Sequence, residues 1–369
     1  MSIKKFNPNG IGRPNGNFFG FPFNLEESSI ILYPVCWDVT TSYKDGTSLG
    51  PKAIIDASVQ LDFFDQMAPD AWNYGHGTVP IDAAQIALNT ELRAKAKLVI
   101  EALENGESPK SAKLKKLYKE INTGTQKMVD KVFFETEEYI KEGKMVGLVG
   151  GDHSTSLGLM KAIDEEYESW GILQIDAHAD LRDAYEGFTH SHASIMFNAL
   201  KETDVDSITQ IGIRDLSPDE FRTIQDEYRI TTFYDAQIQS QRYQGRTWES
   251  ICQEIIMNLP HYVYISFDID GLMPSLCPNT GTPVPGGLNL EEAIFLIHKI
   301  FLSGRVIVAF DVVEVAPSKD LDNDWDANVG ARLLYRLSNI AWLSKIINGI
   351  AADGGMLDDD FLDGLDLNN

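Results

Sequence analysis

Short apolar runs alternate with helix-periodic segments along most of this chain. "SSIILYPVCW" reads as a first strand, and the glycine-containing turn in "KDGTSLGPKAIIDAS" leads from it into a helix. "KMVGLVGG", "GILQIDAH", "ITQIGIR", "YVYISFDID" and "RVIVAFDVVEV" read as further strands, each roughly five to eight residues long, the usual strand size. Between them, "SLGLMKAIDEEYES", "SPDEFRTIQDEY", "TWESICQEIIMNL" and "NLEEAIFLIHKIFL" carry helical periodicity. Such alternation predicts an α/β domain whose mainly parallel sheet is covered on both faces. Residues 83–143 break the rhythm: rich in Lys, Glu and Ala and helical in period, they read as a helical excursion packed beside the sheet. Residues 1–29 form an N-terminal extension, 30–355 the α/β domain, and 356–369 an acidic tail expected to fray. There is no internal repeat and no low-complexity tract.

Composition narrows the classes of function. With 369 residues, 43% of them hydrophobic, the chain can bury a large core. Its net charge of −24 and pI near 4.6 repel nucleic-acid phosphates and acidic membrane surfaces and favour small cations as partners. Solubility alone accounts for most of that charge. Cys36, Cys252 and Cys277 lie far apart with no C-x-x-C pair, which suits reduced thiols in a cytoplasmic protein. The N-terminus lacks the apolar core of a secretion signal. The most apolar stretch is interrupted by His298, Lys299, Gly304 and Arg305, so no membrane span is expected.

Candidate chemistry concentrates at strand ends. In "LQIDAHADLRDAY", Asp176, His178 and Asp180 alternate with alanines, and an extended chain would put all three on one face. "LVGGDHSTSLG" sets His153 just beyond a strand, and "YISFDIDGL" sets Asp268 and Asp270 at the end of another. Ligands of open parallel sheets gather where the carboxyl ends of strands converge. A lone D-x-H-x-D fits a solvated loop, a lone D-x-D a turn, and G-G-D-H a tight turn with an exposed His. All three after strands of one α/β chain are hard to explain that way.

Four carboxylates crowded into one pocket would repel or protonate. Two divalent cations balance that charge, and two-metal hydrolases hold such ions about 3.5–4 Å apart. With no Cys in the set, an oxygen-rich shell with imidazole suits Mn²⁺ best, with Ni²⁺ or Co²⁺ as alternatives.

"GGDHS", "DAHADLR", "SFDIDGL" with the following "GTPVPGG", and "DVVEVAP" together resemble the signature blocks of the ureohydrolase family. That family includes arginases, agmatinases, guanidinobutyrases, formimidoylglutamases and guanidine hydrolases. The resemblance runs in order from about residue 30 to 350. It implies a three-layer α/β/α sandwich with a central, mostly parallel sheet of about eight strands, a dinuclear manganese centre, and homotrimers or homohexamers. Two cations would lower the pKa of a shared water, giving a hydroxide that attacks a guanidinium carbon to yield urea and an amine. Glu314 of "DVVEVAP" matches the family residue that pairs with the guanidinium. Asp311 and Asp152 read as residues orienting ligands. In "FTHSHASIM", the "SHAS" part matches the family's histidine block, so His192 is the expected proton shuttle, with His190 a loop residue or substrate contact. His76, His261 and His298 read as structural or loop residues.

Two departures bear on the substrate. Where arginases use an Asn and an Asp to hold the amino-acid end of arginine, this chain has Arg182 and Ser217. Trp37, near the mouth of the first strand, is expected to narrow the pocket. The expected substrates are therefore guanidine, agmatine or guanidinobutyrate, with L-arginine disfavoured. Met273 stands where "DGLDPS" usually has Asp. Formimidoylglutamate hydrolysis, with Arg182 pairing the substrate's carboxylates, is the rival reaction. A metal-binding relative without catalysis is the third reading, against which His192 and Glu314 both speak.

Overall fold

The computed structural model describes residues 6–349; the acidic tail expected over 356–369 lies outside them. In chain order the main elements are β1 (Ile30–Val35), α1 (Gly50–Ser58), β2 (His76–Thr78), α2 (Ala83–Glu104), α3 (Ala112–Lys141), β3 (Met145–Gly150), α4 (Leu157–Glu166), β4 (Gly171–Ile175), α5 (Ile195–Glu202) and β5 (Ser207–Ile213). There follow α6 (Pro218–Asp226), β6 (Ile230–Tyr234), α7 (Asp235–Tyr243), α8 (Trp248–Met257), β7 (Tyr262–Asp268), α9 (Leu290–Leu302), β8 (Val306–Val313) and α10 (Trp325–Ser344). The strands form one eight-stranded sheet in the order β2-β1-β3-β8-β7-β4-β5-β6, and every pairing is parallel.

Alternate side chains feed two separate cores. On β3, Met145 and Val149 join the core under α9 and α10, while Val146 and Leu148 join the one under α3 and α4. A sheet buried on both faces needs near-continuous apolar strands, which is why β3, β7 and β8 read so clearly in the sequence. The two outermost strands were not foreseen from the pattern. β2 is three residues long, and β6 ("ITTFY") is mostly half-buried, so neither presents a sustained apolar run. Phe18, Phe19, Phe21 and Phe23, from the segment ahead of β1, are buried against Phe63 and Tyr335 in the first of these cores.

The strand order positions the site. Strands β3 and β4 follow one another in the chain but are separated in the sheet by β8 and β7. The loops leaving the carboxyl ends of these four central strands therefore open side by side, the crevice in which open α/β sheets hold ligands.

Candidate metal centre

His153 opens a short helical turn just past β3, and the Asp152 carboxylate caps it by accepting from Ser154 N at 3.0 Å. The preceding glycine is a close-approach residue: a Cβ on Gly151 would stand 1.9 Å from the Trp37 carbonyl oxygen. Asp152 N donates to that same carbonyl at 2.8 Å, and Glu314 N donates to Gly151 O at 2.7 Å. The loops after β1, β3 and β8 are thus tied together by backbone alone.

The D-x-H-x-D segment departs from the extended geometry expected of it. Strand β4 ends at Ile175, and Asp180 has a left-handed φ of +55°. A continuing strand would have carried the third side chain onward; the left-handed residue turns the chain so that all three converge. His178 N donates to Asp176 Oδ1 at 2.6 Å, and Ala177 N to Asp270 Oδ1 at 3.1 Å. Asp268 closes β7, and its carboxylate accepts from Asp270 N at 2.8 Å. Arg214 holds this last turn by donating to Asp270 O at 2.6 Å and Leu272 O at 3.2 Å.

Five of the six residues come together as two adjoining triads that share a carboxylate. His153, Asp176 and Asp268 form one, and Asp176, His178 and Asp270 the other, with the ligand atoms of each triad within 4.8 Å of one another. Asp180 completes the cluster, its Oδ2 at 2.9 Å from His153 Nδ1. That nitrogen also has Asp176 Oδ2 at 3.2 Å and Asp268 Oδ2 at 3.5 Å, yet it is buried and makes no hydrogen bond. Ligand atoms around an ion at about 2.1 Å stand about 3 Å apart, a spacing with which these distances are compatible. The donor set fits divalent cations.

Without cations the cluster is electrostatically frustrated. Burial, and then the charge of Asp176, pushes Asp180 up to about 7. Burial, with Asp270 and Asp176 beside it, holds Asp268 well above the usual carboxylate range. On His178 burial acts against charge, but Asp270 and Asp176 outweigh it and push the imidazole up to about 12. Positive charge placed among these carboxylates would relieve their repulsion.

Beside the cluster lies a cleft of about 190 Å³ lined by Ser42, His178, Asp180, Arg182, Tyr185, His192, Asp215, Glu220, Asp268, Thr282 and Glu314, among others. Glu314 directly follows β8 in a left-handed conformation, φ +63°, and its Oε1 accepts from His153 N at 3.0 Å. Burial and the nearby Asp152 carboxylate keep Glu314 well above its ordinary pKa. His192 Nδ1 is 3.7 Å from Glu314 Oε1, and its Nε2 is 3.2 Å from Ser42 Oγ. Burial, reinforced by charge on His178 and His153, pushes His192 down to about 3.

Three residues named from the sequence stand elsewhere than expected. Trp37 is fully buried among Val35, Val39 and Leu148, and narrows nothing; Ser42, five residues on, supplies that wall. His190 does not line the cleft, because its Nε2 turns to Glu202 Oε1 at 3.3 Å. Ser217 is also outside it, its hydroxyl engaged with Glu220 in the capping box that starts α6. Arg182 does line the cleft, its guanidinium over the Tyr185 ring at 4.6 Å and its Nε 3.5 Å from Glu220 Oε2. Tyr185, Asp215 and Thr282 are lining residues that periodicity had no means of flagging.

The model of the Arginase family matches residues 28–338. The chain belongs to the arginase family. Among its relatives in this family, an N(1)-aminopropylagmatine ureohydrolase of Thermus thermophilus is 28% identical over 330 residues, spanning 88% of this chain and 96% of that one. An agmatinase of Proteus mirabilis is 30% identical, spanning 86% and 90%. A guanidinobutyrase of Pseudomonas aeruginosa is 26% identical, spanning 86% and 87%. The fold matches that of the agmatine ureohydrolase of Thermoplasma volcanium, with a TM-score of 0.67 and 22% identity over 89% of this chain and 95% of that one. The helices of the excursion, α2 and α3, reach the loops beside this cleft. From α2, Asn89 exchanges two hydrogen bonds with Asp38, at 2.8 and 3.0 Å, and Arg93 donates to Val39 O and Thr41 O. From α3, Asn122 bonds Gly187 O and Thr189 N. Both loops flanking His192 are held by this hairpin.

Proposed function

We propose that this chain is a hydrolase using two divalent cations to cleave a small guanidinium compound into urea and an amine or ammonia. One observation carries the reading: the two triads sharing Asp176 adjoin the same cleft as Glu314 and His192. His153, Asp176, Asp180 and Asp268 would hold one ion, and Asp176, His178 and Asp270 the other, with Mn²⁺ preferred and Ni²⁺ the alternative. When bound, such ions supply a hydroxide nucleophile near neutral pH.

The chain's own residues do the rest. Glu314 offers two oxygens to a planar guanidinium, a bidentate pairing that orients the carbon toward the cluster. His192, facing Glu314 through Nδ1 and Ser42 through Nε2, is placed to carry a proton to the leaving nitrogen. Thr40 sets the position of this histidine by accepting from its backbone N at 3.2 Å. Arg182, fixed on the cleft wall by Tyr185 and Glu220, stands where the resemblance gives arginases an Asn for the amino-acid end of L-arginine, and its cation would repel the α-ammonium. The favoured substrates are therefore guanidine, agmatine and guanidinobutyrate. Buried thiols without disulfides support a cytoplasmic setting, and a homotrimer or homohexamer is the assembly we infer from the family resemblance. Among the described residues no helix is long and apolar enough to cross a membrane.

The test is a product screen across guanidino compounds, with Mn²⁺ and Ni²⁺ loading compared. Urea from a small guanidinium compound supports the reading. Formamide from formimidoylglutamate would instead favour the carboxylate-pairing role for Arg182, and no product from any substrate would favour a non-catalytic metal protein.

A further inference from the structure

One level beneath the ligands, a row of polar residues crosses five parallel strands. The pairing register sets Thr232 of β6 beside Gln210 of β5, Gln210 beside Gln174 of β4, Gln174 beside Ser266 of β7, and Ser266 beside Asp311 of β8. Neighbours in register on parallel strands point to the same face. Gln174, Gln210, Ser266 and Asp311 are all fully buried, where an apolar row would have served packing better.

The row divides into two arms, each ending on a candidate ligand. In one, Asp311 accepts from Ser266 Oγ at 3.0 Å, and that hydroxyl lies 2.8 Å from His153 Nε2, the nitrogen facing away from the cluster. In the other, Thr232 Oγ1 donates to Gln210 Oε1 at 2.7 Å, Gln210 Nε2 to Gln174 Oε1 at 2.7 Å, and Gln174 Nε2 to Asp176 Oδ2 at 2.8 Å. The direction of this second arm is forced. Gln174 Nε2 also faces His178 O at 3.2 Å, and Gln210 Nε2 faces Ala179 O at 2.8 Å. A carboxylate and two carbonyls are acceptors only, so both amides must turn their NH₂ groups toward the ligand loop, leaving Thr232 to donate at the far end.

We infer that Gln174, Gln210 and Thr232 are positioning residues for the metal centre, acting through the shared carboxylate and the turned loop that follows it. The inference rests on the two-cation reading above. The arm satisfies Asp176 Oδ2 with a fixed donor, which orients the carboxylate between the two triads. It also pins the carbonyls of His178 and Ala179 just ahead of Asp180, whose left-handed backbone needs outside support to persist. Every amide donor and acceptor in the arm is used, and a buried network acts as a unit only when complete.

The experiment strips the full-length protein with a chelator and titrates Mn²⁺ back by calorimetry, comparing the parent with Gln174→Leu, Gln210→Leu and Thr232→Val. Removing partners that orient metal ligands costs about 10- to 100-fold in affinity, the loss expected for the two glutamine variants. The half-buried Thr232→Val, close in shape and remote from the ions, should weaken binding by about threefold or more through the same arm. It keeps the test available should a glutamine variant not fold. The visible spectrum of Co²⁺-loaded protein should shift in each variant, which a purely structural lesion leaving the coordination intact would not cause. Affinities within twofold of the parent with unchanged Co²⁺ spectra would overturn the inference while the metal reading survives. A parent chain that binds no divalent ion would overturn both.

Discussion

His192 Nδ1 faces Glu314 Oε1 across 3.7 Å, so the groups proposed to move the proton and to hold the guanidinium flank one point in the cleft. A planar cation bound to Glu314 would have its departing nitrogen within reach of His192. His192→Ala should retain its metal content yet lose roughly 100-fold or more in kcat, with partial rescue by added imidazole. His190→Ala, with its ring turned to Glu202, should be much milder. Glu314→Gln should also keep its metals but bind substrate poorly, since it removes the pairing charge. Steady-state kinetics with metal analysis on the same samples would check all three.

The sharing of Asp176 makes a distinct forecast for metal content. Purified protein should carry about two divalent ions per chain. Asp176→Ala should lose both, because both triads include it, whereas Asp270→Ala should chiefly empty the site built on His178. Elemental analysis of the purified variants decides this, and full occupancy in Asp176→Ala would rule out the assignment.

Protonation in the cation-free cluster sets how stability depends on pH. Asp180 is raised to about 7 by burial and Asp176, so between the unfolded value near 4 and about 7 the folded state holds the extra proton. Stability from this group is full below that window and lost as pH rises through it. His178, raised to about 12, acts in the same direction above its unfolded value of about 6.5. His192, held down to about 3, works the other way only up to its unfolded value of about 6.5, so the chelated protein should melt lower at pH 8 than at pH 5.5. Saturating Mn²⁺ should raise the midpoint on the order of 5 °C, most at the higher pH, where cations replace the missing protons. Thermal melts at both pH values, with and without Mn²⁺, would show it.

Substrate choice is set at the cleft wall. Arg182 stands where the resemblance gives arginases an Asn for the amino-acid end of L-arginine, and its charge would repel the α-ammonium, a loss worth roughly a ten- to hundredfold preference. The kcat/KM for L-arginine should fall below that for the best of guanidine, agmatine and guanidinobutyrate by about that factor. Parity or better for L-arginine would refute this reading of the wall and leave the metal chemistry standing.

Much of the architecture and all six candidate ligands were legible because they depend on local signals. Mostly apolar runs mark the six inner strands, and chemistry-bearing residues fall at or just after the ends of four of them. What escaped depends on tertiary context. The edge strands β2 and β6 have too little apolar character of their own. Trp37 lies near a strand mouth, but strand position does not reveal which way a side chain is buried. His190 and His192 differ by two residues, and only the fold shows one reaching Glu202 and the other Glu314. Asp176 and Asp180 come together through a left-handed turn in place of the extended chain their spacing suggests. Gln174 and Gln210 carried no signal at all, since a buried glutamine becomes meaningful only once its neighbour in register is known.

The hairpin of α2 and α3 touches the cleft with no side chain, yet Asn89, Arg93 and Asn122 hold both loops that border His192. Catalytic geometry here is thus partly hostage to surface helices that a designer would mark as expendable. Drift in these helices could retune turnover while leaving every reacting group unchanged. Two relatives with the same ligands could then differ in speed for reasons located entirely outside the cleft.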